Sequence, residues 1–288
     1  MKKIKLLILG KSNVGKSSLI NFFTNNHNCL VSSKIHATRI STYYLFNIDN
    51  YQIQIIDTPG TSIVDKNLLS QAMKSHAYKH LTDSDLIILL TQPQHSYECE
   101  LRILNDILEA RKPYMICVNK IDTDINKEFQ SSLEKSLCVN NYSLISLKEH
   151  TGLDAFINDL LVKLKSLNSF DTHHINKKND AYVIQELIRE SIVNSTSNEL
   201  PYETAVRLIK CKKQKFVDIV DAEIIVSKEN HKKIILGKNG SMIKKIGIIS
   251  REKLQSLMKR KVHISLFVVV KENWKNNPDL LKDFGYIE

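Results

Sequence analysis

The sequence predicts an α/β protein in two parts, a larger front part on a mostly parallel sheet and a smaller α+β part behind it. Three observations carry this. From Ile4 to about Leu167, apolar runs of strand length alternate with helix-length segments, the pattern of a parallel sheet flanked by helices. Between Lys165 and Asp180 the chain turns polar (KSLNSFDTHHINKKND) and loses periodicity. Beyond it, short strands gather around a two-glycine turn between apolar segments. The expected boundaries are 1–167, a linker over 168–180, and 181–288.

The first element fixes the chemistry of the front part. Lys3 to Asn21 reads KIKLLILGKSNVGKSSLIN: a buried strand from Ile4 to Leu9, a tight loop, and a helix from near Lys16. The loop, Gly10 through Lys11, Ser12, Asn13, Val14 and Gly15 to Lys16, Ser17 and Ser18, satisfies the GxxxxGK[ST] phosphate-binding pattern. Gly10 and Gly15 let successive backbone N–H groups converge on phosphate oxygens. The helix aims its own free N–H groups, worth roughly half a positive charge, at the same point. Lys16 can reach the terminal phosphates, and the Ser17 hydroxyl is placed to ligate Mg²⁺. An ordinary glycine-containing strand-to-helix turn is the plainer alternative, and the apolar strand before it speaks against that.

Next come two alternating segments, Thr42 to Ile48 and Tyr51 to Ile56, with Asp49 and Asn50 as a hairpin turn. The second runs into Asp57, Thr58, Pro59 and Gly60. A carboxylate at the end of a buried strand beside a phosphate loop suits a Mg²⁺ shell, and Gly60 can bring its N–H to a γ-phosphate. Residues 65–82 read as a helix, Leu86 to Leu90 as a strand, Glu98 to Ala110 as a helix and Pro113 to Val118 as a strand. That strand ends in Asn119, Lys120, Ile121 and Asp122, an NKxD box. The Asp122 carboxylate can accept from both N1–H and the 2-amino group of guanine, a pairing adenine cannot reproduce. Asn119 can tether the base edge and neighbouring loops, and the Lys120 stem can lie over the ring. A strand from Tyr142 to Ile145 leads to Ser146, Leu147 and Lys148, where a backbone N–H could meet the guanine O6. Thr151, Gly152 and Leu153 open the closing helix. Ligand-bearing loops at the C-terminal strand ends make this a GTP and GDP site served by Mg²⁺.

In the second part a helix is expected from Ala181 to Asn194, then strands at about 203–210, 217–226 and 232–236. The turn Gly237, Lys238, Asn239 and Gly240 follows, then a long helix to Lys259 and a strand from Val262 to Val270. With Lys244 and Lys245 nearby, this GxxG turn has the character of a loop that approaches the sugar–phosphate chain of single-stranded RNA. Ile235, Ile243 and Ile246 are candidates to line an apolar base groove, or else plain core. Trp274 could stack a base or pack against the last helix. His173 and His174 read as linker surface.

Composition agrees. The net charge is +10, unevenly spread: residues 1–168 carry 19 Lys and Arg against 16 Asp and Glu, residues 169–288 carry 22 against 15. The second part is thus the better candidate for touching a polyanion. Five cysteines are scattered without a CxxC pair, which points to reduced thiols rather than zinc or disulfides. No apolar run reaches membrane-span length, and a strand starting at the N-terminus is expected to leave no room for a signal peptide.

The segments GKSNVGKS, ATR (37–39), DTPG and NKID, followed by LPY, HKKIILGKNGSMIKKIG and VHISLFVVVKENW, together resemble the Era family of ribosome-assembly GTPases over essentially the whole chain. The resemblance implies a P-loop GTPase domain with a mostly parallel sheet followed by a smaller type II KH domain. It implies a monomer that binds the 3′ end of 16S rRNA and assists maturation of the 30S subunit, cytoplasmic with loose peripheral attachment to the inner membrane. Thr38 would bind Mg²⁺ and γ-phosphate, joining Lys16, Gly60 and Asn13 as catalytic positions. Asn13 stands where related GTPases use K⁺ to assist hydrolysis. Three departures stand out: Thr61 follows DTPG where a hydrophobic residue is usual, Ala37 replaces the first threonine of TTR, and the loop between the first two strands of the second part is short. Two other classes fit parts of the pattern, a GTPase acting in tRNA modification or at membranes, and an RNA-binding module whose nucleotide only regulates shape.

Overall fold

The computed structural model describes residues 1–24, 39, 42–59, 67–123, 128–167, 180–196, 200 and 203–287. They form two compact units, residues 1–64 with 73–177 and residues 65–72 with 178–288.

The first unit is built on β1 (Lys2–Leu9), α1 (Lys16–Thr24), β2 (Thr42–Ile48), β3 (Tyr51–Asp57), the part of α2 (Leu68–Lys79) from Met73 on, β4 (Leu86–Thr91), α3 (Glu98–Glu109), β5 (Tyr114–Val118), α4 (Glu128–Leu137), β6 (Ser143–Leu144) and α5 (Leu153–Lys165). The strand order is β2-β3-β1-β4-β5-β6, parallel throughout except for β2 against β3. Pairing of Ile48 with Tyr51 leaves Asp49 and Asn50 as the expected two-residue turn, Asp49 at φ +49°. The inner half of β1, Leu6 to Leu9, is an unbroken buried apolar run because both faces of the strand are covered there. Ile4, Leu6 and Ile8 pack with Leu19, Ile20 and Phe23 of α1 and with Phe156 and Leu160 of α5. Leu7 and Leu9 pack on the other side with Ile103, Leu104 and Ile107 of α3 and Leu133 and Leu137 of α4. Sheet polarity then brings the loops after β1, β3, β5 and β6 to one edge.

Sequence reasoning passed over α4. Its signal is the spacing of Phe129, Leu133 and Leu137, four residues apart on an otherwise polar segment, with Leu133 fully buried.

The second unit carries α6 (Asp180–Ser195), β7 (Thr204–Lys213), β8 (Asp218–Val226), α7 (Glu229–Leu236), α8 (Ser241–Met258), β9 (Val262–Val270) and α9 (Pro278–Asp283). Its sheet runs β7-β8-β9, antiparallel then parallel. Ile188 and Ile192 of α6 and Ile246 and Leu254 of α8 cover one face, against Val220, Ala222, Ile224 and Val226. The strand expected at 232–236 is instead helix α7. Glu229 in its first turn and Lys233 in its last suit the helix dipole, and only Ile235 of the run Ile234, Ile235 and Leu236 points into the core. A short apolar run does not by itself distinguish strand from helix. Trp274 is fully buried and meets Phe284 edge-on at 5.9 Å, so it packs rather than offering a stacking face. Among the described residues no helix is long and apolar enough to cross a membrane.

Candidate functional site

The loop after β1 curls because its glycines allow what no side chain could. Gly10 has φ +150°, and a Cβ there would stand 2.1 Å from the Leu90 carbonyl oxygen. Gly15 has φ +107°, with a Cβ position 2.3 Å from Asn119 Nδ2. That second clash explains the box at the end of β5. Asn119, nearly buried, donates Nδ2 to the Val14 carbonyl at 2.9 Å and accepts from the Leu147 N–H at 3.1 Å. One amide thus ties the phosphate loop to the loop after β6, each bond worth about 1 kcal/mol net and more to leave unmade.

Lys16, at the start of α1, is almost fully buried. Its ammonium turns back on the loop, donating to the Gly10 carbonyl at 3.0 Å and the Lys11 carbonyl at 2.7 Å. Burial pulls its pKa down to about 8, opposed by the negative field of Asp57. Among the described residues its hydrogen-bond partners are neutral carbonyls, a setting that suits a multiply charged anion. Asp57 itself is buried at the end of β3, and the adjoining Thr58 hydroxyl donates to the Ile8 carbonyl at 2.9 Å, fixing that turn to β1. Carboxylate and hydroxyl oxygens are the donors Mg²⁺ takes, so Asp57 and Ser17, half-buried in the first turn of α1, fit that ion. Pro59 is buried beside Thr58; Thr38 and Gly60 lie outside the described residues.

The end where Asp122 is expected to meet the base is braced in the same manner. Asp122 Oδ1 accepts from the Ser146 hydroxyl at 2.6 Å, which with Lys148 and Lys120 holds its carboxyl below the usual carboxylate range. Lys148 stands 3.8 Å from the other oxygen and pairs with Glu149 at 3.0 Å. Lys120, at φ +66°, donates to the Asn13 carbonyl at 2.5 Å, so its stem crosses from the β5 loop to the phosphate loop. Desolvation lowers its pKa, partly offset by Asp122. Asn13 is exposed, at φ +67°. Ser146 and Thr151 exchange backbone hydrogen bonds at 3.0 and 3.1 Å, closing the loop that presents residues 147–150. Sequence reasoning gave Ser146 only a backbone role, whereas its hydroxyl also orients Asp122.

One feature of the loop lay outside the sequence argument. Lys11 reaches α3, where Glu100 is fully buried, at 3.1 Å, and the Thr91 hydroxyl donates to the other Glu100 oxygen at 3.1 Å.

In the second unit the GxxG turn bridges α7 and α8. Gly237 has φ +71°, with a Cβ position 2.7 Å from Met242 Cβ, while Gly240 at φ +76° faces open space. No side chain caps α8, so its first N–H groups open toward the turn. Lys238, Asn239, Lys244 and Lys245 are all exposed around it, a setting suited to phosphate. The groove candidates divide. Ile235 and Ile246 are fully buried in the core, and only Ile243 is half-buried. Helix periodicity turns Ile235 inward and leaves Ile234 exposed at the loop instead.

A phosphate loop, a buried carboxylate after β3 and a braced NKxD box on one edge of a parallel sheet, with a GxxG-bearing α+β unit in the same chain, define a GTPase joined to a KH domain. Family models agree: "50S ribosome-binding GTPase" matches residues 5–120 and "KH domain" residues 199–275. GTPase Era of Helicobacter pylori (strain Shi470) is 34% identical over 291 residues, spanning 97% of this chain and 95% of that protein. GTPase Era of Lactobacillus helveticus is 31% identical, spanning 97% and 94%. The chain belongs to the Era family of GTPases. Two solved structures superpose with TM-scores of 0.88 at 28% identity over the full length of both chains. One is a variant of Aquifex aeolicus Era bound to GDP·AlF4⁻, the other Era in complex with MgGDPNP and nucleotides 1506–1542 of 16S ribosomal RNA.

Proposed function

We propose that this GTPase binds the 3′ end of 16S rRNA through its KH half and assists maturation of the 30S subunit, its nucleotide state setting how firmly RNA is held. The observation that carries this reading is the presence, in one chain, of a braced guanine-reading loop and a lysine-flanked GxxG turn. The solved Era complex with 16S rRNA nucleotides supports the choice of RNA.

In this reading the Asp122 carboxylate pairs with N1–H and the 2-amino group of guanine, pre-oriented by Ser146. Lys16 leaves its carbonyl partners for the β- and γ-phosphates, and the N–H groups of residues 13–17 close around them. Bound Mg²⁺, held through Ser17, Asp57 and Thr38, neutralises charge on the phosphate oxygens. Thr38 and Gly60 meet the γ-phosphate and let go after hydrolysis, which makes them the switch. Catalysis is positioning and charge stabilisation without a covalent intermediate, so unassisted turnover is slow, about 10⁻² s⁻¹ or below. No glutamine follows DTPG to orient the water; Asn13 would help hold K⁺, which would supply part of the missing charge.

The test pairs phosphate release with RNA affinity. Multiple-turnover release from GTP, undiminished by excess ATP, is expected. Affinity for a 16S 3′-end RNA should differ between GDP and a non-hydrolysable GTP analogue, and should fall in the Lys238→Glu, Lys244→Glu variant. Equal competition by ATP, or RNA affinity indifferent to nucleotide, would overturn the reading.

A further inference from the structure

We propose that the far end of the second sheet is a second RNA-binding platform, where the tip of the β7–β8 hairpin stacks a base on Phe216 and lysines take the flanking phosphates. The proposal rests on the reading of the KH half as an RNA-binding unit and extends it to a surface away from the GxxG turn.

Phe216 is 79% exposed, more than any other large hydrophobic side chain among the described residues. It adds nothing to the core there. Its neighbours are Gln214 and the exposed Lys212, Lys213 and Lys215, with the Lys215 ammonium 5.5 Å from the ring centroid. An aromatic face set among lysines is the pattern that binds single-stranded nucleic acid by stacking and phosphate contact together. A lipid surface would instead favour a broad apolar face.

The tip is held in place. Arg260, in the turn between α8 and β9, donates Nε to Asp218 at 3.1 Å and Nη2 to the Gln214 carbonyl at 2.6 Å. The Asp218 N–H donates to the Lys261 carbonyl at 2.9 Å. These bonds bring Lys259 and Lys261, both exposed, to the same end as the hairpin lysines. Of the acids there, Asp218 is fully buried and paired with Arg260, and Asp221 is half-buried, in register with Lys210 across the strand pair, so the exposed Lys212, Lys213, Lys215, Lys259 and Lys261 outnumber it. The outward field is therefore positive.

Separation makes this a distinct contact. The GxxG turn sits at the N-terminus of α8 and Lys259 follows its C-terminus, so 18 residues place them about 27 Å apart. A GxxG turn clamps about four nucleotides, so only a longer strand can occupy both.

The experiment measures anisotropy of the full chain with two oligouridylates, a tetranucleotide and one long enough to reach both ends of α8. Phe216→Ala should weaken the long RNA roughly 5- to 150-fold, the worth of one stacked base, and leave the short one unchanged. Replacing Lys212, Lys213 and Lys215 with Gln should flatten the salt slope for the long RNA by about 2. Because all four side chains are exposed, the thermal transition should not move. If Lys238→Glu weakens both RNAs while the tip variants bind as the parent does, the platform is overturned and the KH reading stands. If Lys238→Glu changes nothing, the KH reading fails and this proposal with it. Phosphatidylglycerol vesicles are the third arm: vesicle binding lost in Phe216→Ala with long-RNA affinity intact would make the tip a lipid surface and refute the proposal.

Discussion

The tie between Lys11 and Glu100 gives an asymmetric prediction. Glu100 is fully buried, whereas the Lys11 side chain keeps 28% of its exposure and lies 3.3 Å from the Gln94 side-chain oxygen. Lys11→Met therefore strands a carboxylate that has only the Thr91 hydroxyl left, at 3.1 Å. Removing one partner of a buried pair in this way costs about 3–5 kcal/mol. Glu100→Gln is milder, because the amide oxygen can still accept from Thr91 and the freed ammonium can turn to Gln94 and water. Its cost is about 1 kcal/mol. Adding Glu100→Gln to Lys11→Met should then recover roughly 2–4 kcal/mol of the damage. The assay is urea unfolding of the full chain by far-UV circular dichroism. Trp274, the sole tryptophan of the sequence, reports the second unit separately by fluorescence and should keep its midpoint. Equal losses in the two single variants, or a double variant no better than the sum of its parts, would refute the claim that the buried carboxylate depends on Lys11.

Two further outcomes follow from the loops. Burial holds nucleotide-free Lys16 at about 8, below its ordinary 10.5, so its charged form destabilises the folded chain below about pH 8, and that penalty fades as pH rises toward the unfolded value. A bound phosphate reverses the balance, so GDP should bind with proton uptake and lose affinity above about pH 8; calorimetry in two buffers of different ionisation enthalpy at about pH 8.5 checks this, and no net uptake would refute it. Gly10→Ala, whose Cβ would meet the Leu90 carbonyl at 2.1 Å, should cost upwards of about 3 kcal/mol. Gly240→Ala meets nothing within 4 Å and should cost only the left-handed backbone, about 1–2 kcal/mol; denaturation midpoints in the reverse order would contradict both accounts.

What the sequence made legible was chemistry confined to a few consecutive residues. Gly10, Gly15, Lys16 and Asp122 fall in the GxxxxGK[ST] and NKxD patterns, so spacing alone singles them out, and the fold added their bracing through Asn119 and Ser146. Features defined by burial were less legible. Ile235 looked like a groove residue because it adjoins the GxxG turn, but helix α7 rotates it fully into the core and leaves Ile234 outside. Ionic partners were least legible of all. No local pattern says that Glu100 will sit beneath Lys11, or that Arg260 will span from Asp218 to the Gln214 carbonyl.

That last case bears on how charge in such a chain should be read. The lysines of the 210–215 run could have been taken for a solvated strand end, and in the sequence nothing contradicts it. Only in the folded unit does a buried aspartate neutralise one arginine, leaving its lysine neighbours unopposed around an exposed aromatic ring. A net count over the second part gives a bias toward polyanions. The local arrangement, with Asp218 spent inside and Phe216 left outside, decides where on the surface that bias can act.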